Sequence, residues 1–433
     1  MEAFCPFEIP LSLSERDRLS MHNLAQRCVN ETMVDYEHVL ASSSGLPSAT
    51  RWKPVRRKYN VIVYQDQLAV EVKRQKRKTK SLGDILSRSE TPKMIWMGTI
   101  ECALDDLMYG LGSQSDEVTR INSSYSGNNI QDFATLALLE EATPSDSFHS
   151  LQLKWEVNSA LTKAKPLWRS RDFVYLKATG VTVSRSAGQR IGYQILHSLD
   201  VRGVPELPGR KLTRGRLTVY QLFRQKSKGT VEVFAKGMVD LAGDIPAAMA
   251  SFATIEAANS VNAAAKCARK RKLNWLLFTA ATNCPNYAAA DRNDSCCSVC
   301  ARNLRNAFGQ KICFDCRICT ERVCYRCHVR QELSFIKPDK TSFVVNQRSI
   351  DLCTRCVHTA TQTNARRVAL EERALENPVS MYKYIPREKH LLLKKVPCDE
   401  EFDISTATEE DTENPTHTAV LLDRVTEVLH RLF

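Results

Sequence analysis

Four CxxC pairs fall between Cys297 and Cys356: Cys297–Cys300, Cys316–Cys319, Cys324–Cys327 and Cys353–Cys356. A CxxC turn presents two thiolates on one side of a tight loop, and two such turns complete a tetrahedral site. Eight thiols at this spacing therefore specify two metal ions, and an all-sulfur tetrahedral set suits zinc. Disulfides are the competing use of paired cysteines, and they belong to oxidising compartments. The N-terminal MEAFCPFEIPLSLSERDR has neither a basic start nor an apolar stretch of signal length, so a cytoplasmic chain with reduced thiols is expected.

The gaps between successive pairs are 15, 4 and 25 residues. Sequential pairing would make two ribbon-like units. The short central gap suits a cross-brace instead, in which the first pair shares a metal with the third and the second with the fourth. In order and in central gap the segment resembles a FYVE-type finger. RING fingers also cross-brace, but they usually place a histidine in the central cluster, and none lies between Cys300 and Cys327. LIM modules have a two-residue gap where this chain has four. The resemblance implies a site for phosphatidylinositol 3-phosphate, but the basic histidine-rich motif around the third cysteine is replaced by ICFDCR, with Phe314 and Asp315 at the histidine positions. Only Arg317 of the basic residues remains. Upstream, Asp291 is kept while Ala288 takes a tryptophan position, and Asp351 stands where the family has arginine. The zinc scaffold is expected without the phosphoinositide pocket. Cys296 and Cys313 are expected as small buried fillers, and His328 and His358 as surface side chains.

Upstream of this module the pattern is of strands and two long helices. Ser14 caps an expected helix to Leu40, with Leu19, His22, Leu24, Cys28, Met33 and Val39 as a rough apolar stripe. Strands are expected in YNVIVY from Tyr59, in LAVEV from Leu68, and over Lys93–Ile100, Ser150–Val157, Arg171–Val183, Arg190–Leu199, Arg214–Gln225 and Gly229–Asp240. A short helix is expected over Leu104–Gly112, and a long Ala-rich one begins at Pro246. Turn residues at regular intervals make the sheet antiparallel, of about half a dozen strands, and the order of elements argues an α+β domain.

The stretch PLWRSRDFVYLKATG (Pro166–Gly180), followed by GYQILHSL, RGRLTVYQLF and the Ala-rich helix, is similar to START-type lipid-binding domains. That resemblance implies a START-like helix-grip fold, in which a curved antiparallel sheet wraps a long C-terminal helix. It also implies a tunnel for one apolar lipid or sterol. Small residues on the helix, Ala257 and Ala264 among them, would leave room beneath it. The expected organisation is an N-terminal helical segment 1–50, the START-like domain 51–280, the zinc finger 288–362 and a C-terminal tail 363–433.

Charge is uneven. Eleven Lys or Arg and two acids lie in Arg51–Lys80, and Asp399–Glu413 holds eight acids and no base. The run Lys73, Arg74, Lys76, Arg77, Lys78 and Lys80 is the candidate contact for an anionic membrane surface. TATQTNARRVALEERALE after Cys356 reads as one helix, NPVSMYKYIPREKH as a loop, and the terminal TAVLLDRVTEVLHRLF as an amphipathic helix through Leu421, Val425, Val428 and Leu432. There is no P-loop, nucleophile elbow or HExxH, which argues against an enzyme. The expected function is a non-enzymatic peripheral lipid-binding or lipid-transfer protein. Its zinc module would serve targeting, at endosomal or other intracellular membranes, or contact with a protein partner. The rival readings are a zinc-dependent adaptor or RING-like ubiquitin ligase, and a nucleic-acid-binding protein. The basic run has no interleaved aromatics to support the last.

Overall fold

The computed structural model describes the chain except for residues 1–4, 8, 43–44, 68–92, 114, 127–129, 160–167, 185–187, 244, 246, 283–294, 306–312, 339–342, 376–377 and 384–433. The chain forms two compact units, Met1–Cys267 and Ala268–Phe433.

The first unit opens with α1 (Glu15–Ala41), started by a reciprocal cap in which Ser14 and Asp17 each bond the other's backbone N–H. Its buried residues are Met21, Ala25, Cys28, Val29, Thr32 and Tyr36. These recur at helical spacing; of the expected stripe, Cys28 is buried and Leu24, Met33 and Val39 pack against the core, while Leu19 is exposed. Ala25 and Thr32, small side chains that a scan for large apolar residues passes over, complete the buried face.

A ten-stranded sheet follows, built from β1 (Trp52–Lys58), β2 (Val61–Asp66), β3 (Met94–Ile100), β4 (Ile130–Glu140), β5 (Ser150–Asn158), β6 (Ser170–Val183), β7 (Arg190–Ser198), β8 (Leu212–Arg214), β9 (Arg216–Ser227) and β10 (Thr230–Asp240). The order is β1-β2-β3-β10-β9-β7-β6-β5-β4, antiparallel throughout, with the short β8 added parallel to β6. Two helices, α2 (Leu104–Leu111) and α3 (Asp116–Ser126), lie between β3 and β4 in sequence. The sheet is wider than expected. The edge strand β1 reads WKPVRRK, whose charge and proline hide a strand from pattern reading. In β4 the register to β5 shifts three times, which breaks the alternation. The expected LAVEV strand lies outside the described residues.

The two faces of the sheet differ. One receives α1, where Met21, Ala25, Cys28 and Val29 join Leu151, Leu153, Trp155 and Val157 of β5 and Val174, Leu176 and Ala178 of β6 in a single core. The opposite, inner face carries the alternate residues. It includes Phe173 and Tyr175, which pack with Val239, Leu241, Ile245 and Ala250 at the start of α4 (Ala247–Thr282). The Thr254 hydroxyl of α4 accepts the Val239 N–H at 3.0 Å.

Helix α2 reaches the inner face at Gly192 of β7, where an added Cβ would stand 2.5 Å from the Met108 sulfur. It also meets α4 backbone to backbone. A Cβ on Gly110 would lie 1.9 Å from the Ala264 carbonyl oxygen. Ala264 is thus spent on a close helix–helix approach. Gly110→Ala is expected to force these backbones apart and lower unfolding stability by about 3 kcal/mol, read from urea unfolding followed by circular dichroism. A change under about 0.5 kcal/mol would show that the two backbones are not in tight contact.

The Arg171–Asp172 pair is structural. The Asp172 carboxylate is fully buried, receiving the Trp155 indole N–H at 3.1 Å and Arg214 at 2.8 Å. The Arg171 guanidinium donates to the carbonyls of Leu241 and Ala242 beyond β10.

In the second unit, α4 continues from Ala268, and a module follows with β11 (Phe314–Asp315), β12 (Arg322–Val323), the hairpin β13 (His328–Pro338) and β14 (Phe343–Cys353), α5 (Thr354–Gln362) and α6 (Ala365–Ala374). Sequence reading expects neither the hairpin nor the break between α5 and α6. Asn364 makes that break: its side chain accepts the N–H groups of Arg366 and Arg367 and caps a second helix. The loop expected at NPVSMYKY instead forms a 3-10 turn, Pro378–Tyr382, whose Met381 and Tyr382 are buried.

Candidate functional site

Each CxxC turn of the module is shaped locally. The Cys297 carbonyl accepts the Ala301 N–H and the Cys316 carbonyl accepts that of Thr320, both closing one residue past the second cysteine of the pair. Ala301 and Thr320 sit at φ 55° and 60°, a left-handed conformation that costs a non-glycine residue about 1 kcal/mol. Strain repeated at the same place in two knuckles marks a geometry imposed by the site. The fourth pair opens α5, with the Cys353 sulfur accepting the Cys356 N–H at 3.3 Å.

These turns bring the eight cysteines into two groups: Cys297, Cys300, Cys324 and Cys327; and Cys316, Cys319, Cys353 and Cys356. Pair one thus meets pair three, and pair two meets pair four. Within each group all sulfurs lie within 4.8 Å of one another. Cys300 and Cys324 are 3.7 Å apart, and Cys319 and Cys353 3.8 Å. Four thiolates at about 2.3 Å around a tetrahedral zinc stand about 3.8 Å from one another, so the donor set fits the ion in kind and in size. Burial opposes ionisation of Cys297, but backbone N–H groups of Cys324, Cys300 and Val299 outweigh it and hold this thiol at about 6. Both groups can hold a metal ion. Around them pack Leu273, Leu304, Val323, Leu333, Phe335, Ile350 and Leu352.

The positions that differ from the FYVE-type motif are engaged within the module. Asp351 takes hydrogen bonds from His328 at 2.8 Å and Arg330 at 3.0 Å. Asp315 pairs with Arg322 at 3.2 Å. Phe314 stacks on His328, with ring centroids 3.8 Å apart. His328 is therefore a partly buried member of this cluster and not the surface side chain expected. Cys313 packs against the core around the two cysteine groups, and Cys296 bridges to Asn303. Ala288, Asp291 and Ile312 lie outside the described residues. So do Lys73, Arg74, Lys76, Arg77, Lys78 and Lys80, the acidic stretch and the terminal helix.

On the inner face of the first unit, polar side chains are interspersed with aromatics. The Lys154 ammonium of β5 donates to Thr119 of α3 and lies 3.9 Å from Asp116. Burial pulls its pKa down, against the pull of Asp116. Burial likewise raises the Glu156 carboxyl, which accepts from the Tyr175 hydroxyl at 3.0 Å. The Lys177 ammonium donates to the Leu111 carbonyl and the Ser113 hydroxyl. Ala257 is partly buried beside Phe173 and Tyr175, while Ala264 lies against Gly110. The polar members of this face were missed in sequence reading. Their signal was faint: Gln152, Lys154 and Glu156 alternate with apolar residues and read as a solvated strand face.

Among the described residues no helix is long and apolar enough to cross a membrane. No family model matches the chain, and no curated protein does so. Solved structures resembling it include human STARD10, at 13% identity over 59% of this chain and 80% of that one with a TM-score of 0.36. The human StAR-related lipid transfer protein 5 matches at 14% identity over 57% of this chain and 97% of the other, TM-score 0.37. A StAR-related lipid transfer protein fragment from Xanthomonas axonopodis matches at 16% identity, covering 50% and 96%, TM-score 0.32. Likeness this distant carries no weight for function.

Proposed function

We propose that this is a non-enzymatic, peripheral lipid-binding or lipid-transfer protein. In this reading region 51–280 is a START-like domain that holds one apolar lipid or sterol against the inner face. Region 288–362 is a structural unit with two zinc ions, used for targeting or for contact with a protein partner. The protein works in the cytoplasm and at the surface of intracellular membranes.

The observation that supports this best is how the inner face is roofed. Helix α2 covers it at Gly192, and the start of α4 covers it around Phe173, Tyr175 and Leu196. A sheet with one face closed by α1 and the other spanned by helices that touch different parts of it is a frame for an enclosed apolar ligand. The sequence resemblance of Pro166–Gly180 and the segments after it points the same way.

The zinc assignment rests on the all-thiolate sets and their spacing. The FYVE-like order of the pairs supports a membrane or protein contact, but the pairing of Asp315 with Arg322 and of Asp351 with His328 and Arg330 leaves acids where a 3-phosphate would sit. We infer that any membrane affinity of the module is not selective for that headgroup.

Native mass spectrometry of the full chain, purified without detergent, tests the whole reading. It should show one lipid-sized ligand per chain. Ala257→Trp, which adds bulk beside Phe173 and Tyr175, should cut lipid uptake at least tenfold, given an overpacking cost of about 1–3 kcal/mol. Wild-type protein that neither retains nor takes up any member of a broad lipid panel would sink the proposal.

A further inference from the structure

Along β7 the inner face carries Gly192, Gln194 and Leu196, since alternate residues share a face. Helix α2 covers the first and the α4 cluster the third. Gln194 lies between the two coverings. It is 6% exposed.

The register extends this position into a row across the sheet. Gln194 pairs with Gln221 of β9, Gln221 with Ala235 of β10, and Ala235 with Trp96 of β3. Cross-strand partners present their side chains on the same face. Gln221 is 1% exposed and Trp96 0%. Both the Gln221 amide nitrogen and its oxygen are buried with no partner, and so is the Trp96 indole N–H. On the other side of β6, Gln152 of β5 gives its N–H to the Ser113 carbonyl but leaves its own oxygen without a partner.

A buried amide without a partner costs about 1–3 kcal/mol. Native proteins leave few such groups, and several on one face call for a physical cause. The row does not read as a charged site. The cations on this face are engaged, Lys154 with Thr119 and Asp116, and Lys177 with Leu111 and Ser113. The open atoms are neutral: two donors from Gln221 and Trp96, and acceptors from Gln221 and Gln152, with the Gln194 amide beside Gln221 across the register.

Resting on the lipid-binding reading, we propose that the row centred on Gln221 and Gln194 receives the uncharged polar group of an otherwise apolar ligand. A hydroxyl or an amide, which both donates and accepts, matches it. A phosphate or carboxylate headgroup does not, because it brings a full charge to a buried site whose neighbouring cations, Lys154 and Lys177, are already engaged. A bare hydrocarbon does not either, because it leaves the amides unsatisfied.

The test uses the full-length chain and neutral phosphatidylcholine vesicles carrying one labelled probe at a time. The probes are a ceramide, a diacylglycerol, a phosphatidic acid and a long-chain hydrocarbon. Wild-type protein should extract the ceramide or the diacylglycerol at least about tenfold better than the phosphatidic acid and the hydrocarbon, since one buried hydrogen-bonded group left unpaired amounts to a factor of this order. Gln221→Leu should erase that preference while hydrocarbon extraction stays level or rises, and Gln194→Leu should weaken it independently. Thermal unfolding of each variant checks that the fold is kept. Unchanged selectivity in both folded variants would mean that buried water satisfies the row, and would overturn the assignment while leaving lipid binding standing. A wild-type preference for phosphatidic acid would overturn it as well. No extraction of any probe would overturn the lipid-binding reading and this inference together.

Discussion

Replacing Cys316 with alanine will drop bound zinc from two ions per chain to one or none, and will unfold the module that the two thiol groups hold. Cys316 belongs to the group with Cys319, Cys353 and Cys356, and the third CxxC pair, from the other group, lies between its halves in the chain. Removing one ligand therefore frees the hairpin β13–β14 and both flanking knuckles. Folding of small zinc units is coupled to ligation by as much as about 10–16 kcal/mol, and the Ala301 and Thr320 turns hold a left-handed conformation whose cost ligation offsets. Metal analysis gives the stoichiometry. Limited proteolysis should show new cuts confined to the second unit, while the sheet of the first keeps its own cooperative melt. A Cys316→Ala protein that still carries two tightly held ions would refute the ligand assignment. Chelation at neutral pH should reproduce the variant in the wild type, and restored zinc should reverse it.

The second large effect is expected at Arg271. This residue and Glu372 are almost wholly removed from water and pair at 2.7 Å. Tyr382 closes the circuit, accepting from the Arg271 Nε at 2.9 Å and donating to the other Glu372 oxygen at 2.9 Å. Breaking such a pair strands a buried carboxylate, at a cost of about 3–5 kcal/mol. Arg271→Met should lower the stability of the second unit by that amount in denaturant titrations. The double variant Arg271→Met with Glu372→Met should recover most of it, because removing both charges removes the stranded one. Equal losses in the single and double variants would show that packing of the Arg271 stem, and not the charge, is what matters.

The metal module was the most legible part of the chain. Thiolate chemistry demands a fixed ligand type at short fixed spacing, so the eight ligands were plain in the sequence; the four-residue gap between Cys319 and Cys324 favoured a cross-brace over sequential pairing, and the structure groups the cysteines in that way. The strands with clean alternation, such as Ser150–Asn158 and Arg190–Ser198, were legible for the same local reason. Others were hidden by local exceptions: the basic edge strand Trp52–Lys58, the irregular register of Ile130–Glu140, and the hairpin from His328 to Cys353.

The alphabet of local signals, then, determined where α1 begins, which strands alternate and which sulfurs are ligands, because caps, periodicity and knuckles act within a few residues. Only the tertiary structure decided what the polar residues do. The run Lys270, Arg271, Lys272 puts three cations side by side on a helix, yet all three are buried. Lys270 reaches Gln331, Arg271 reaches Glu372 and Tyr382, and Lys272 reaches the carbonyls of Thr361 and Thr363. Gln221 likewise looks like an ordinary strand residue until its neighbours across three strands are known. A charge or an amide is tolerated in the interior only by partners brought from far along the chain, and no spacing rule within a single segment can announce them.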